Sequence, residues 1–190
     1  MGLDQFIFKI SKANLENRTF TSDEIESMKL ARITVEEFNT HKNMYKAILP
    51  YVEKRDVECK LYDTEKLFSD YKLPEDSRIW CFAPTGITIG YTKANGERGN
   101  QEVSNEEIEA KYIKKKVIPS YVFKSEEVYY WRKEYDLCDW IENALKKQIE
   151  NCGYYKLNKT VIKRMNSKFK SEVPVESANK EYAYFYHEWY

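Results

Sequence analysis

Three polar tetrads constrain this chain more than any other feature: Thr21-Ser22-Asp23-Glu24, Thr34-Val35-Glu36-Glu37 and Ser104-Asn105-Glu106-Glu107. In each, a leading hydroxyl can cap the first turn of a helix while a glutamate three residues on reaches back to the cap's own N–H. They start short helices that lie between strand-like segments. Residues 3–10 alternate, with Phe6, Phe8 and Ile10 on one face, and residues 52–62 alternate with polar positions between apolar ones. Residues 78–93 contain two strands, RIWCF and ITIGYT, joined by a four-residue hairpin connection, Ala83-Pro84-Thr85-Gly86. Asn95-Gly96 is a further turn signal, and GERGNQ after it reads as a polar loop. No regular βαβ rhythm runs through these elements, and the tight connections are antiparallel. The expected fold is therefore a single α+β domain over residues 1–190, an antiparallel sheet packed by several helices. A chain of 190 residues is long enough to build such a core without staples.

The longest helix is predicted near 126–148, capped by Ser125 and closed by Gly153. On that helix Val128, Trp131, Tyr135, Cys138 and Leu145 share one stripe, with Tyr130, Leu137, Ile141 and Ala144 on the adjoining one. Most of its aromatic residues answer to a core; Tyr129, Arg132 and Lys133 are left as an exposed, candidate binding rim. A second helix begins at Asn158, with Val161, Ile162, Met165 and Phe169 on its apolar face. Residues 156–170 carry Lys156, Lys159, Lys163, Arg164, Lys168 and Lys170 and no acidic residue. A solvated helix face accounts for them, and a strip that tracks phosphates through Lys159, Lys163 and Lys170 is the competing reading. Lys111 and Lys114 to Lys116 form another basic cluster before a strand that contains Pro119, which a proline restricts to an edge or bulge.

Catalytic machinery is sparse. Only His41 and His187 are histidines, and no phosphate-binding, dinucleotide-binding, zinc-protease or nucleophile-elbow motif occurs. The glutamate pairs at 106–107 and 126–127 sit where helix first turns are expected, and the macrodipole explains them. Asp4, His187 and Glu188 are the residues that would carry chemistry if the chain has any; no catalytic set, metal site or cofactor is expected. Basic and acidic residues balance at 31 each, so a nucleic-acid or membrane partner would need a local patch. Aromatic residues make up 15% of the chain, 16 of them tyrosines, which suits interfaces as well as cores. No apolar run is long enough to span a bilayer, residues 1–12 lack secretory-signal features, and four scattered cysteines fit reduced thiols. The expected location is the cytoplasm.

Gly2-Leu3-Asp4, taken with Tyr130-Trp131-Arg132-Lys133 and Trp140, resembles a family of small uncharacterised proteins encoded by bacteriophages and prophages. That family pairs a GLD start with a motif close to YWRKANxIHxWF. Here Glu134 and Tyr135 replace the usual Ala-Asn, and Cys138 stands where the family has His. The resemblance implies a phage origin, hence the host bacterial cytosol, and no established activity. By analogy with small phage proteins, the expected function is inhibition of a bacterial antiviral defence component, anti-CRISPR-like, by macromolecular contact. Its partner would be a defence protein or ribonucleoprotein, with RNA or DNA touched through the basic strips. Two other classes stay open: a metal-dependent nuclease or nucleotide-processing enzyme, and a virion or assembly protein.

Overall fold

The computed structural model describes residues 3–175 and 181–189. In chain order the elements are β1 (Asp4–Ser11), β2 (Phe20–Thr21), α1 (Ser22–Ser27), β3 (Leu30–Thr34), α2 (Val35–Thr40) and α3 (Lys42–Tyr45). A 3₁₀ turn at Lys46–Tyr51 leads to β4 (Glu53–Tyr62), α4 (Thr64–Asp70), β5 (Arg78–Ala83), β6 (Gly86–Thr92) and β7 (Arg98–Ser104). Then follow α5 (Asn105–Lys111), β8 (Ile113–Arg132), α6 (Tyr135–Leu145), β9 (Tyr155–Leu157), α7 (Lys159–Phe169) and β10 (Tyr182–Trp189). The class is α+β with antiparallel sheets. Contacts divide the chain into two compact units, Met1–Val57 with Ile118–Tyr190, and Glu58–Val117.

The larger unit is built on a sheet in the order β2-β4-β8-β1-β10-β9, with β3 also paired to β8. β1 lies at its middle, antiparallel to β8 on one side and to β10 on the other. Strand alternation then separates two cores. Ile7, Tyr184 and Tyr186 face Leu137 and Ile141 of α6 and Ile162 and Met165 of α7. Ile10, Phe123, Ala183 and Phe185 face Phe38, Ile48 and Tyr51. The smaller unit holds the three-stranded sheet β5-β6-β7, one face of which packs Ile87, Ile89 and Val103 against Leu67 of α4 and Ile108 of α5.

The hydroxyl half of each of the three tetrads forms, and the glutamate half forms at Glu24. Thr21 Oγ1 accepts the Glu24 N–H while the Glu24 side chain accepts the Thr21 N–H, a complete capping box. Thr34 and Ser104 accept from the N–H groups of Glu37 and Glu107, and Asn158 accepts from Val161 N.

Three local expectations are corrected. The long aromatic helix near 126–148 does not form: β8 continues through Arg132, and only Tyr135–Leu145 is helical. Ser125 is therefore no cap; it pairs with Ile10. Val128, Tyr129, Tyr130 and Trp131 are β-branched or aromatic, suited to a pleated surface, and β1 supplies the partner strand. The helix stops at Lys146, which adopts a left-handed φ of 52°. The polar loop expected after Asn95-Gly96 is instead β7, held by pairing to β6. Pro119 is no correction: it lies within β8 one residue past the last β3 pair, Thr34↔Ser120, where β3 no longer pairs with the strand. The β5–β6 connection is tighter than four residues, because Ala83 pairs with Gly86.

Candidate functional site

The aromatic-basic rim expected around Tyr129, Arg132 and Lys133 is split by the strand. Tyr129 and Trp131 turn toward the α6–α7 side, half-buried against that core with ring centroids 4.4 Å apart. Tyr129 is thus not the exposed group expected. Arg132 is exposed opposite Asp4, and Lys133, at a left-handed φ of 60°, donates its N–H to Leu3 O at 2.8 Å. Gly2 lies outside the described residues.

The residues that would carry chemistry are drawn into structural bonds. Asp4 opens β1, and its Oδ1 accepts the Tyr130 hydroxyl at 2.5 Å. His187 packs among Phe6, Phe8 and Tyr154, stacked on the last with centroids 4.6 Å apart. Its Nδ1 lies 3.2 Å from Gly153 O, which can only accept, so Nδ1 carries the proton of that bond. Burial holds its pKa below the ordinary histidine value. Glu188 points the opposite way and is 1% exposed. Its Oε2 accepts the Tyr186 hydroxyl at 2.7 Å and its Oε1 the Cys138 thiol at 3.6 Å. Tyr186 accepts in turn from Gln5 Nε2 at 2.9 Å. Burial, with Glu188 second, pushes the Cys138 pKa up to about 12, so the thiol stays a protonated donor rather than a nucleophile. Among the described residues, no three His, Cys, Asp or Glu side chains are placed to share a metal ion.

The basic features also separate. Lys111 pairs with Glu107 at 3.1 Å, Lys114 with Asp63 at 3.4 Å and Lys115 with Glu58 at 2.8 Å, which neutralises most of that cluster. Lys159, Lys163 and Lys170 are exposed on or just past α7, behind the buried Val161, Ile162 and Met165. A groove of about 760 Å³ has Lys9, Lys12, Lys29 and Lys124 on its walls together with Glu126 and Glu181. It offers charge of both signs, and its one ring, Tyr182, already lies under the Lys9 ammonium at 4.2 Å.

The feature that sequence reasoning missed is the other face of the β5-β6-β7 sheet. Register places Arg78, Gly90 and Asn100 side by side across the three strands, with Thr92 opposite Arg98 and Thr88 opposite both Cys81 and Glu102. These positions alternate with the buried Ile87, Ile89 and Val103, so they form the uncovered face. Alternation from Arg78 places Trp80 on this face, and a β-bulge between Ile79 and Cys81 leaves it without a partner residue. A Cβ built at Gly90 would lie 3.7 Å from Trp80 Cβ, so the indole stands beside a position with no side chain. Trp80 is 71% exposed. It walls a groove of about 580 Å³ with Asp76, Arg78, Gly90, Arg98 and Asn100. Arg78, Arg98 and Asn100 are engaged in no ion pair or side-chain hydrogen bond among the described residues.

That arrangement has a cost. Leaving a large apolar side chain in water forgoes roughly 1.5–3 kcal/mol of burial. Its chemistry is also specific: a flat π-surface, an amide with free donors and acceptor, and two unpaired guanidiniums. A signal for it exists in the sequence. Thr88-x-Gly90-x-Thr92 and Arg98-x-Asn100-x-Glu102 carry polar residues or glycine at alternate positions, which identifies the open face, and Trp80, two residues past Arg78, is the large aromatic side chain on it. No family model, no curated protein and no solved structure matches this chain.

Proposed function

We propose that this chain works by binding another macromolecule, and that the open face of the β5-β6-β7 sheet is its contact surface. The observation that supports the reading is Trp80, 71% exposed beside Gly90 and flanked by the unpaired Arg78 and Arg98. Exposed aromatic and arginine side chains at the centre of an otherwise polar face are the composition of binding hot spots. The candidate general acids and bases support it too, because Asp4, His187 and Glu188 are each engaged in packing or hydrogen bonds within the fold. The phage-family resemblance supplies the setting. The chain is an accessory protein of the host bacterial cytosol that inhibits an antiviral defence component, anti-CRISPR-like, its target a defence protein or ribonucleoprotein.

Plating efficiency tests this. In a bacterial strain whose ribonucleoprotein-based defence restricts a tester phage, expression of the wild-type chain should restore plaques. Trp80→Ala should lose that rescue at equal expression. Rescue that survives Trp80→Ala would remove the sheet face from the mechanism, and no rescue by wild type across a panel of defences would remove the anti-defence role.

A further inference from the structure

We infer that the groove beside Trp80 takes an unpaired nucleobase of single-stranded nucleic acid, with Arg78 and Arg98 on the phosphates to either side. The inference rests on the contact-surface reading above and names its occupant. Three features converge on that ligand class. Every base has a π-face, and stacking on an exposed aromatic ring is the sequence-tolerant way to hold a single strand. The missing side chain at Gly90 leaves room beside the indole for a second flat ring. Asn100, directly opposite Gly90 on β7, brings an amide that can pair with a base edge.

Charge is placed to match. Arg78 and Arg98 stand on the outer strands β5 and β7, two strand spacings apart across the sheet and two residues apart along it, or roughly 12 Å between backbone positions. A nucleotide seated on the strand between them would direct its two flanking phosphates toward the two guanidiniums. Two guanidiniums against the one carboxylate of Asp76 leave the groove with a single net positive charge. Glu102, one step along the same face from Asn100, lies on the side away from Arg98. The groove volume of about 580 Å³ lies within the range of roughly 300–1,000 Å³ usual for ligand clefts. An acidic peptide would satisfy the arginines but would leave the indole and the space above Gly90 without a matching flat ring. A duplex keeps its bases stacked on one another and cannot present one to Trp80.

Fluorescence anisotropy of labelled ten-nucleotide mixed-sequence RNA and DNA strands tests the inference, with the matching duplexes and a polyglutamate peptide as competitors. Wild-type protein should bind single strands in preference to duplex and resist displacement by polyglutamate. The RNA and DNA arms show which sugar is preferred, and binding of either strand supports the inference. Trp80→Ala should weaken binding roughly tenfold or more, as loss of one stacked base does, while Trp80→Phe should retain most of it. Gly90→Val should give a similar loss by filling the groove without removing a charge; its Cβ meets Trp80 at an ordinary 3.7 Å, and circular dichroism checks that the fold keeps its shape around the two γ-methyls. Arg78→Gln with Arg98→Gln should lower the slope of log affinity against log salt by roughly 1.4, at about 0.7 per phosphate contact. Absence of single-strand binding, binding indifferent to Trp80→Ala and Gly90→Val, or full displacement by polyglutamate would overturn the inference. If plaque rescue still depended on Trp80 in that event, the contact-surface reading would stand with a protein occupant; if neither assay depended on Trp80, both would fall.

Discussion

At Gly86 a Cβ would lie 2.1 Å from the Val103 carbonyl oxygen, and the obstacle is main chain that the β6–β7 ladder holds in place. Gly86→Ala must therefore shift the ladder that carries the open face, at an expected cost of about 1–3 kcal/mol. Urea denaturation would measure it. His187 makes a different residue-scale prediction. Burial among Phe6, Phe8 and Tyr154 lowers its pKa from 6.5, opposed by the smaller effect of the Gly153 hydrogen bond. As pH falls through 6.5 the unfolded chain takes up a proton that the folded chain still refuses. The unfolded state then binds more protons, and stability is lost below that pH and retained above it. Glu24, Glu97 and Glu107 have carboxyl pKa values lowered from 4.5, so their contributions persist until pH drops below that value. Denaturation midpoints at about pH 7.5 and about pH 5.5 should thus differ in the wild type and converge in His187→Gln. An equal difference in both proteins would place the titrating group elsewhere.

Caps and strand pairing act at the scale of elements, and they were not equally legible. A cap is written within four residues, so the starts of α1, α2, α5 and α7 could be read directly. Asn158→Ala should cost α7 about 1 kcal/mol, visible as a lower thermal midpoint. Strand pairing is not written locally. Val128 to Trp131 fit two helical stripes as well as a pleat, and what decides is β1, whose register with β8 joins residues more than a hundred positions apart. The same reason hid β7, whose polar residues look like a loop until β6 pairs with them. α7 was legible down to its faces because Val161, Ile162 and Met165 recur at helical spacing. Its lysines lie on a helix of the larger unit, remote in sequence from the open sheet, and the rings beside that helix, Phe169 and Trp140, already lie under Lys168 and Arg164 and pack on each other. Changing Lys159, Lys163 and Lys170 to glutamine should leave single-strand affinity within about twofold at moderate salt. A loss as large as that of Trp80→Ala would move the nucleic-acid surface to α7.

At the scale of the molecule, apolar burial accounts for most large side chains among the described residues, and Trp80 is the most exposed of the large apolar ones at 71%, ahead of Phe82, Tyr135 and Trp189. What cannot be seen in RIWCF is the bulge: strict alternation would put Phe82 on the open face with Trp80, whereas register sets Phe82 opposite the buried Ile87. The two rings therefore serve different surfaces. Since Trp80 packs little, Trp80→Ala should change unfolding free energy by no more than about 0.5 kcal/mol, as for surface substitutions away from caps and cores. Loss of function without loss of fold would mark a binding residue. The most direct measurement is photo-crosslinking in cells, with benzoylphenylalanine placed at Trp80 in one variant and at Lys163 of α7 in another. A macromolecular adduct, protein or nucleic acid, is expected from position 80 and none from position 163. Adducts from position 163 alone would contradict the assignment of the open sheet face as the contact surface.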